Sequence, residues 1–511
     1  MAVFECVNCS RRIDTEDLDA RCTRCGSALM LVVSQPDSEI KRPANRSDIE
    51  SLTPGVWRFR AFLPEIANEM HVVTLGEGAT PLVRARRLGM ELGFDDLWIK
   101  DESRNPTGSF IDRGSTILMS LAKERGVESI SCTTTGNLGA SLAAYCAKSG
   151  ISLEVRIHPN IDRGKLYQMI AYGASVEILS KANKTRDSDS DVCGGDSLRI
   201  TAANPFILEG EKTTGFEIIQ DLDWRQPDAI VVPVGTGGHL TMIWRAIQQL
   251  NDANLLNQKK EQNSCKLVGV QLESSAPIVD SLLSKKERNK RRASERIGPE
   301  EPSLTELEES EPIFKNTAVK AIRSSGGCGV EVSSLEAIQA TSLLSRCEGI
   351  FAEPASASVV ASLKKMKEED ILSRTNRIVC VITGAGLKDT RTITRMARTR
   401  KHVFSREDPI IRPVEIGETK LKIMDALAKE PGFAYDIWKV LKIERKITTA
   451  SIYQHLSELE GAAFIRRARI AQVKGRERVI YELTRKGREF LGLAKKMTKG
   501  EEKRGSSVLV D

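Results

Sequence analysis

No stretch of the 511-residue chain approaches the roughly 20 uncharged apolar residues that span a bilayer. The opening MAVFECVNCS has neither the basic start nor the apolar run of a secretory signal. Both absences lead to the expectation of a soluble, cytoplasmic protein with no membrane partner. A disulfide scaffold is excluded on other grounds. Of 11 cysteines in this long chain, four cluster at the start and the rest are scattered, so reduced thiols are expected. What is present is 40% hydrophobic residues over a length too great for one compact domain. Two or three domains with ordinary cores are expected.

Charge is unevenly placed. The formal net charge is +7, yet Ile411 to Asp511 alone carries about 22 Lys and Arg against about 14 Asp and Glu. The first four fifths is therefore nearly neutral, which suggests a catalytic-type body followed by a basic module.

The clustered cysteines form two CxxC pairs, Cys6 with Cys9 and Cys22 with Cys25, separated by twelve residues. Each pair can place two thiolates on one metal, and together they complete a tetrahedral zinc site with no open position. Such a site holds together a segment, here 1–35, too small for its own core. The separation is slightly shorter than in most zinc ribbons, and four unmetallated thiols are the competing reading.

Along 36–400, strand-like runs alternate with turns and helical periodicity, as in LWIKD, LEVRIHP, ASVEIL and DAIVVPV. This is the pattern of a wound α/β domain. Gly235, Thr236, Gly237 and Gly238 follow the last of these runs. Glycines there let backbone N–H groups converge on a phosphate, with a helix N-terminus adding its dipole; a plain tight turn is the alternative. Residues 284–312 interrupt the body with KKERNKRR and then EEPSLTELEESEP. Opposite charge blocks without an apolar stripe predict a solvated insertion.

NPTGSFIDRG, running from Asn105 to Gly114, with LGEGATPL before it and EPASA and TGAGLKD after it, resembles the threonine synthase family, whose members use pyridoxal phosphate. The resemblance covers about Cys6 to Thr390. It implies an α/β architecture of PLP fold type II, tryptophan synthase β-like, with two α/β domains and the cofactor cleft between them. It further implies that Asn137 contacts the cofactor's phenolic oxygen, that the glycine loop holds its phosphate and that Thr383 faces its pyridine nitrogen. The family's lysine, which forms a Schiff base with the cofactor and shuttles protons, is missing. Ile111 stands in its place, and loss of a positioned general base alone costs about 100- to 10,000-fold in rate. Leu138 stands where the family usually has Thr, and Ala385 where His or Asn is expected. Lys100 is near in sequence, but its strand gives no reason to place it in the cleft.

From 414 to 498 the pattern changes. TKLKIMDALAK and FAYDIWKVLK read as short amphipathic helices, Thr448 opens a third, and FIRRARIAQVKGRERVIYELT reads as a hairpin turning at Lys474. This resembles the winged helix-turn-helix of PadR- and MarR-like regulators. Thr449, Ser451, Tyr453, Gln454 and His455 would offer hydrogen-bonding side chains to a DNA groove, with Lys474, Arg476 and Arg478 on the wing. A winged helix used for protein contacts is the alternative. Residues 401–413 read as a linker and 499–511 as a disordered tail.

Two functions follow from different classes. One is a regulator whose body no longer catalyses but senses an amino acid or phosphorylated amino acid, holds pyridoxal phosphate non-covalently if at all, and controls a duplex-DNA-binding module in a homodimer. The other is an active threonine synthase, converting O-phosphohomoserine to L-threonine, or a related lyase with a regulatory tail and a lysine from elsewhere. Lys and Ile codons can differ by one base, a trivial origin for Ile111 that Leu138 and Ala385 argue against as the whole explanation.

Overall fold

The computed structural model describes residues 2–32, 45–134, 136–159, 161–179, 197–257, 265–284, 304, 306–392, 418–442, 449–461, 464–473, 476–488 and 490–492. The basic half of the insertion, the expected linker and tail, Thr448 and Lys474 lie outside the described residues. The chain divides into two units, Met1–Arg400 and Lys401–Asp511.

In the first unit a six-stranded sheet runs in the order Cys328–Val332, Lys266–Leu272, Ala229–Pro233, Arg377–Ile382, Asp96–Asp101, Leu82–Arg84. Only the last pair is antiparallel. Ala229–Pro233 is buried at every position, as a strand covered on both faces must be. A second, four-stranded parallel sheet comprises Ser175–Ile178, Ser152–Ile157, Ser129–Thr134 and Leu198–Ile200. These are the two α/β lobes expected from the alternating pattern. The segments singled out in the sequence leave the carboxyl ends of parallel strands: the 105–114 loop after Asp96–Asp101, the helix Asn137–Ser149 after Ser129–Thr134, and Gly235–Gly238 after Ala229–Pro233. Ligand sites of open α/β sheets form at that edge.

The cysteine-bearing segment is a three-stranded antiparallel sheet with Ala2–Cys6 between Arg12–Thr15 and Leu29–Leu31. It does not stand alone. Phe4 meets Phe206 edge-on at 5.7 Å, and the Asn204 amide donates to the Leu18 carbonyl at 2.6 Å.

The acidic end of the insertion corrects the expectation of a solvated loop. Leu304 and Leu307 are buried in the core of the larger lobe. Burying one leucine side chain is worth about 1.5–3 kcal/mol, so two are enough to dock an otherwise charged segment.

In the second unit the helices Glu418–Lys429, Ala434–Lys442 and Thr449–Gly461 precede the antiparallel hairpin Ile465–Val473 and Arg476–Leu483, with Gly432–Phe433 as its third strand. Ile423, Leu427, Ile437, Leu441, Ile452, Leu456 and Leu483 share one core. Ile452, Leu456 and Leu459 recur at helical spacing and are all buried.

The 105–114 loop is held from behind by buried charge. Arg113 is wholly buried, and its guanidinium donates to Glu102 at 2.5 and 2.8 Å, to Glu217 at 2.7 Å through both terminal nitrogens, and to the Thr80 and Thr213 hydroxyls at 3.0 Å. Lys100 adds contacts of 2.9 Å to Glu217 and to Asp221. Glu217 also accepts from the backbone N–H groups of Ala79 and Thr80, tying LGEGATPL to the loop. Asp112 accepts from the Thr107 amide and hydroxyl at 2.7 Å and from the Ser141 hydroxyl at 2.5 Å.

Burial opposes ionisation of Glu217, but Arg113 and Lys100 more than offset it and pull its carboxyl below the usual range. Its folded pKa is thus below the unfolded value of about 4.3. The contribution is complete above that pH and is lost as pH falls toward the folded value. Glu217→Gln should therefore destabilise the body by about 3–5 kcal/mol at pH 7, since it takes from two buried cations the carboxylate they share. Urea denaturation from pH 7 to pH 3 should show the gap to wild type narrowing on acidification; a constant gap would mean that the charge of Glu217 is not what matters.

Candidate functional site

Between the lobes lies a cavity of about 450 Å³ whose wall includes Phe110, Ile111, Asn137, Leu138, Gly235, Thr236, Gly237, His239, Glu353 and Thr383. Six of the seven positions singled out for the cofactor site are thus brought together. Gly238, the seventh, is not on the wall but opens the helix Gly238–Asp252, preceded by Gly237 in the left-handed region at φ 89° and with no side-chain cap. A Cβ at Gly237 would come within 3.1 Å of the Phe314 carbonyl, so both backbone angle and space call for glycine. The Gly238 amide reaches the Thr236 hydroxyl at 3.4 Å, and a helix start of this kind, next to the carboxyl end of a strand, favours an anion.

Ile111 faces this space because it is the last residue before the helix Asp112–Glu124, whose own first residues point into the charge network. Thr383 pairs its hydroxyl with Ser356 at 2.7 Å. Asn137 donates to Glu353 at 3.3 Å, while its Oδ1 has no hydrogen-bond partner. Ala385 stands elsewhere, against the loop: its amide donates to the Gly108 carbonyl at 2.9 Å, and a Cβ on Gly108 would come within 3.0 Å of the Ala385 Cβ. Lys100 lies within the charge network, away from the cavity wall. Among the described lining residues there is no lysine.

Four ionisable wall residues that the sequence reading missed bear on the site's chemistry. His239, directly after the glycines, stacks on Phe110 at 4.1 Å, and burial lowers its pKa to about 3, so the imidazole is neutral. Its Nε2 is 3.1 Å from the Thr214 hydroxyl, and its Nδ1 is without a partner. Burial raises the Glu211 carboxyl to about 8. Glu353 leads the EPASA motif, a signal that was legible. Glu306 comes from the insertion, where nothing in the sequence pointed to a cavity.

At the other end of this unit the four knuckle thiols are free and lie within 4.8 Å of one another. Cys6 and Cys25 are 3.5 Å apart, Cys9 and Cys22 3.6 Å, and Cys9 and Cys25 3.7 Å. Four thiolates about 2.3 Å from one tetrahedral ion would stand roughly 3.8 Å from each other. The backbone amides of Asn8 and Cys9 both point at the Cys6 sulfur, at 3.5 Å.

In the second unit, the helix Thr449–Gly461 turns Tyr453 and Gln454 to solvent and half-buries Ser451 and His455, whose side chains meet at 3.3 Å. Gln454 donates to Glu458 at 3.1 Å. Arg478 lies 5.6 Å above the Tyr435 ring, and Lys439 lies 5.0 Å from it. The side chains of Thr449 and Arg476 lie outside the described residues, as Lys474 does entirely. Among the described residues no helix is long and apolar enough to cross a membrane.

Comparison with known proteins agrees with both units. The pyridoxal-phosphate dependent enzyme family matches residues 73–384, and the PadR-like transcriptional regulator family matches residues 423–493. The threonine synthase of Methanocaldococcus jannaschii is 37% identical over 75% of this chain and 92% of its own length. That of Methanosarcina acetivorans is 33% identical over 76% and 93%, and that of Halalkalibacterium halodurans 35% over 65% and 89%. With a match that spans nearly the whole of those relatives, the chain belongs to the threonine synthase family of pyridoxal-phosphate dependent enzymes and carries a PadR-like domain at its C-terminal end.

Proposed function

We propose that the body is a sensor and not a catalyst: it binds a small anionic, amino-acid-like ligand without turning it over, and the PadR-like domain binds duplex DNA as part of a pair of chains. The observation that carries this reading is the wall of the cavity. Ile111 occupies the loop position of the family's lysine, the described wall offers no other lysine, and Asn137, the glycine loop and Thr383 remain.

Pyridoxal phosphate fits this wall without a covalent link. Gly235, Thr236, Gly237 and Gly238 would take its phosphate, Asn137 its phenolic oxygen and Thr383 its ring nitrogen; the unpartnered Asn137 Oδ1 and His239 Nδ1 favour a polar occupant. When bound, the group supplies an electron sink for carbanion chemistry. Ile111 can neither bond to it nor hold a proton beside it, so the remaining residues bind and orient only. A second reading, an active threonine synthase, is favoured by 37% identity to a named relative. It would need an amine from outside the wall, and Lys165, paired with the wall carboxylates Glu306 and Glu353, is one that adjoins it.

Borohydride reduction separates the two. Pyridoxal phosphate added to the purified chain should leave no pyridoxyl group fixed to it, and Ile111→Lys should gain one at position 111. A pyridoxyl group mapped to Lys165 in the wild type would establish the enzyme reading instead.

For the basic domain, wing cations near phosphates release counterions, so affinity for a DNA duplex should fall steeply with salt, with a log–log slope of about −0.9 per phosphate neutralised. Arg476→Ala should lower this slope by about 1 and weaken all sequences alike, whereas Gln454→Ala, at the exposed face of the third helix, should relax preference at particular bases. Electrophoretic mobility shifts over a salt series measure both; binding indifferent to salt would make the domain a protein-docking module.

We also propose one zinc ion per chain on Cys6, Cys9, Cys22 and Cys25, in a structural role, since four thiolates leave no open position. Elemental analysis of the purified protein should find it. Cys22→Ser should lose it and loosen residues 2–32 to proteolysis while leaving DNA binding intact, and a folded wild type free of zinc would refute the assignment.

A further inference from the structure

The charged insertion places one of its own carboxylates where a ligand's charge would go. Lys165, on the helix Arg163–Ala171 of the smaller lobe, keeps its ammonium only 2% exposed and pairs it with Glu306 and, at 3.9 Å, with Glu353. Both carboxylates belong to the cavity wall and both come from the larger lobe side. The two are not equivalent. Glu353 is 4% exposed and is fixed by Asn137 and Ser356. Glu306 is 20% exposed and is held chiefly by the buried Leu307 beside it and by the close approach of its carbonyl to Gly235, where an added Cβ would come within 2.6 Å. A buried ammonium between one fixed and one releasable carboxylate is a site at which an outside anion competes with an internal one.

We propose that Lys165 is an anion subsite of the cavity, filled in the unliganded chain by Glu306, and that the anionic group of a ligand displaces Glu306 and so opens the strap from Glu306 to Ile313 that spans the lobes. The ligand class is a small molecule carrying a phosphate or carboxylate. The smaller lobe supplies the cation, the larger lobe supplies the competitor, and an arriving anion exchanges one ion pair for another with no net loss of charge neutralisation at Lys165. This rests on the reading of the cavity as a ligand site, but on neither DNA binding nor the cofactor.

The test uses the full chain and inorganic phosphate as probe, followed by calorimetry. Glu306→Gln removes the competitor and keeps the shape, so phosphate should bind roughly tenfold tighter than to wild type. Lys165→Met should abolish binding, also in combination with Glu306→Gln, and Glu311→Gln, an exposed charge in the same segment, should leave the affinity unchanged. Succinate in place of phosphate tells whether a carboxylate serves equally. Because Lys165→Met could unfold the wall, amide hydrogen exchange gives a second reading: residues 306–314 of the wild type should exchange faster in the presence of phosphate. Equal phosphate affinity in Glu306→Gln and wild type, no phosphate binding to either, or unchanged exchange at 306–314 would overturn the proposal. Displacement of Glu306 with no accompanying change in DNA affinity would instead leave it standing and remove the sensor reading.

Discussion

The buried cluster around Arg113 is the constraint on which the body depends. Its guanidinium and the Lys100 ammonium share Glu217, and Glu102 and Asp221 complete the set. Removing a buried member such as Arg113 or Glu217 breaks ion pairs that water cannot replace in the interior, which costs far more than the pair contributes over an apolar filling. The cluster also joins three distant parts of the chain, residues 77–80, 100–113 and 213–221. A substitution within it is therefore paid for by the fold itself, whatever chemistry the cavity performs.

The same cluster accounts for much of the 105–114 loop. Asn105, Thr107, Asp112 and Arg113 are four of the eight loop positions that carry its resemblance to an enzyme family, and each has a partner in the scaffold: Asn105 with Gly78 and Glu102, Thr107 with Asp112, Asp112 with Ser141, Arg113 with the acidic cluster. Their presence is explained by folding alone. Ile111 is different, since its side chain belongs to the cavity wall and to no hydrogen-bonded network. The fold gives the Ile111 side chain no polar partner, so a different side chain at this position would leave the loop's hydrogen bonds in place. The motif thus separates into a part that holds the loop and a single position, Ile111, that faces the cavity.

Much of this was legible in the sequence, for reasons that differ by feature. Strands such as Ala229–Pro233 announce themselves by continuous burial, and the winged helix by Ile452, Leu456 and Leu459 recurring at helical spacing. The cysteine knuckle was legible because CxxC spacing acts locally. The role of Lys100 in the core was not, because its partners lie about 120 residues away on a helix, and no local pattern encodes that meeting. His239 and Glu306 reach the cavity through tertiary packing, and Ala385 leaves the inferred site because its peptide is taken by Gly108. The insertion was misjudged for a simpler reason: charge dominates its composition, while two leucines decide where its acidic end docks.

A sensor and an enzyme place opposite demands on one cavity. An enzyme depletes the molecule it binds, so its occupancy reflects flux; a cavity without the nucleophile leaves the ligand intact, and occupancy then follows concentration. For occupancy to reach a DNA-binding domain, the ligand must bind one state of the chain better than another, and a coupling of about 1–3 kcal/mol, or 5- to 150-fold in affinity, is the ordinary range. Tight binding alone transmits nothing. What is needed is a contact that exists in one state and not the other, and a core as firmly cross-linked as the Arg113 cluster offers none. The Glu306 to Lys165 contact, which joins the two lobes and has one partner, Glu306, only partly buried, is where we propose such an exchange. The proposed exchange is then complementary to the loop: the Arg113 cluster would keep the cavity wall in register while Glu306 changes partner.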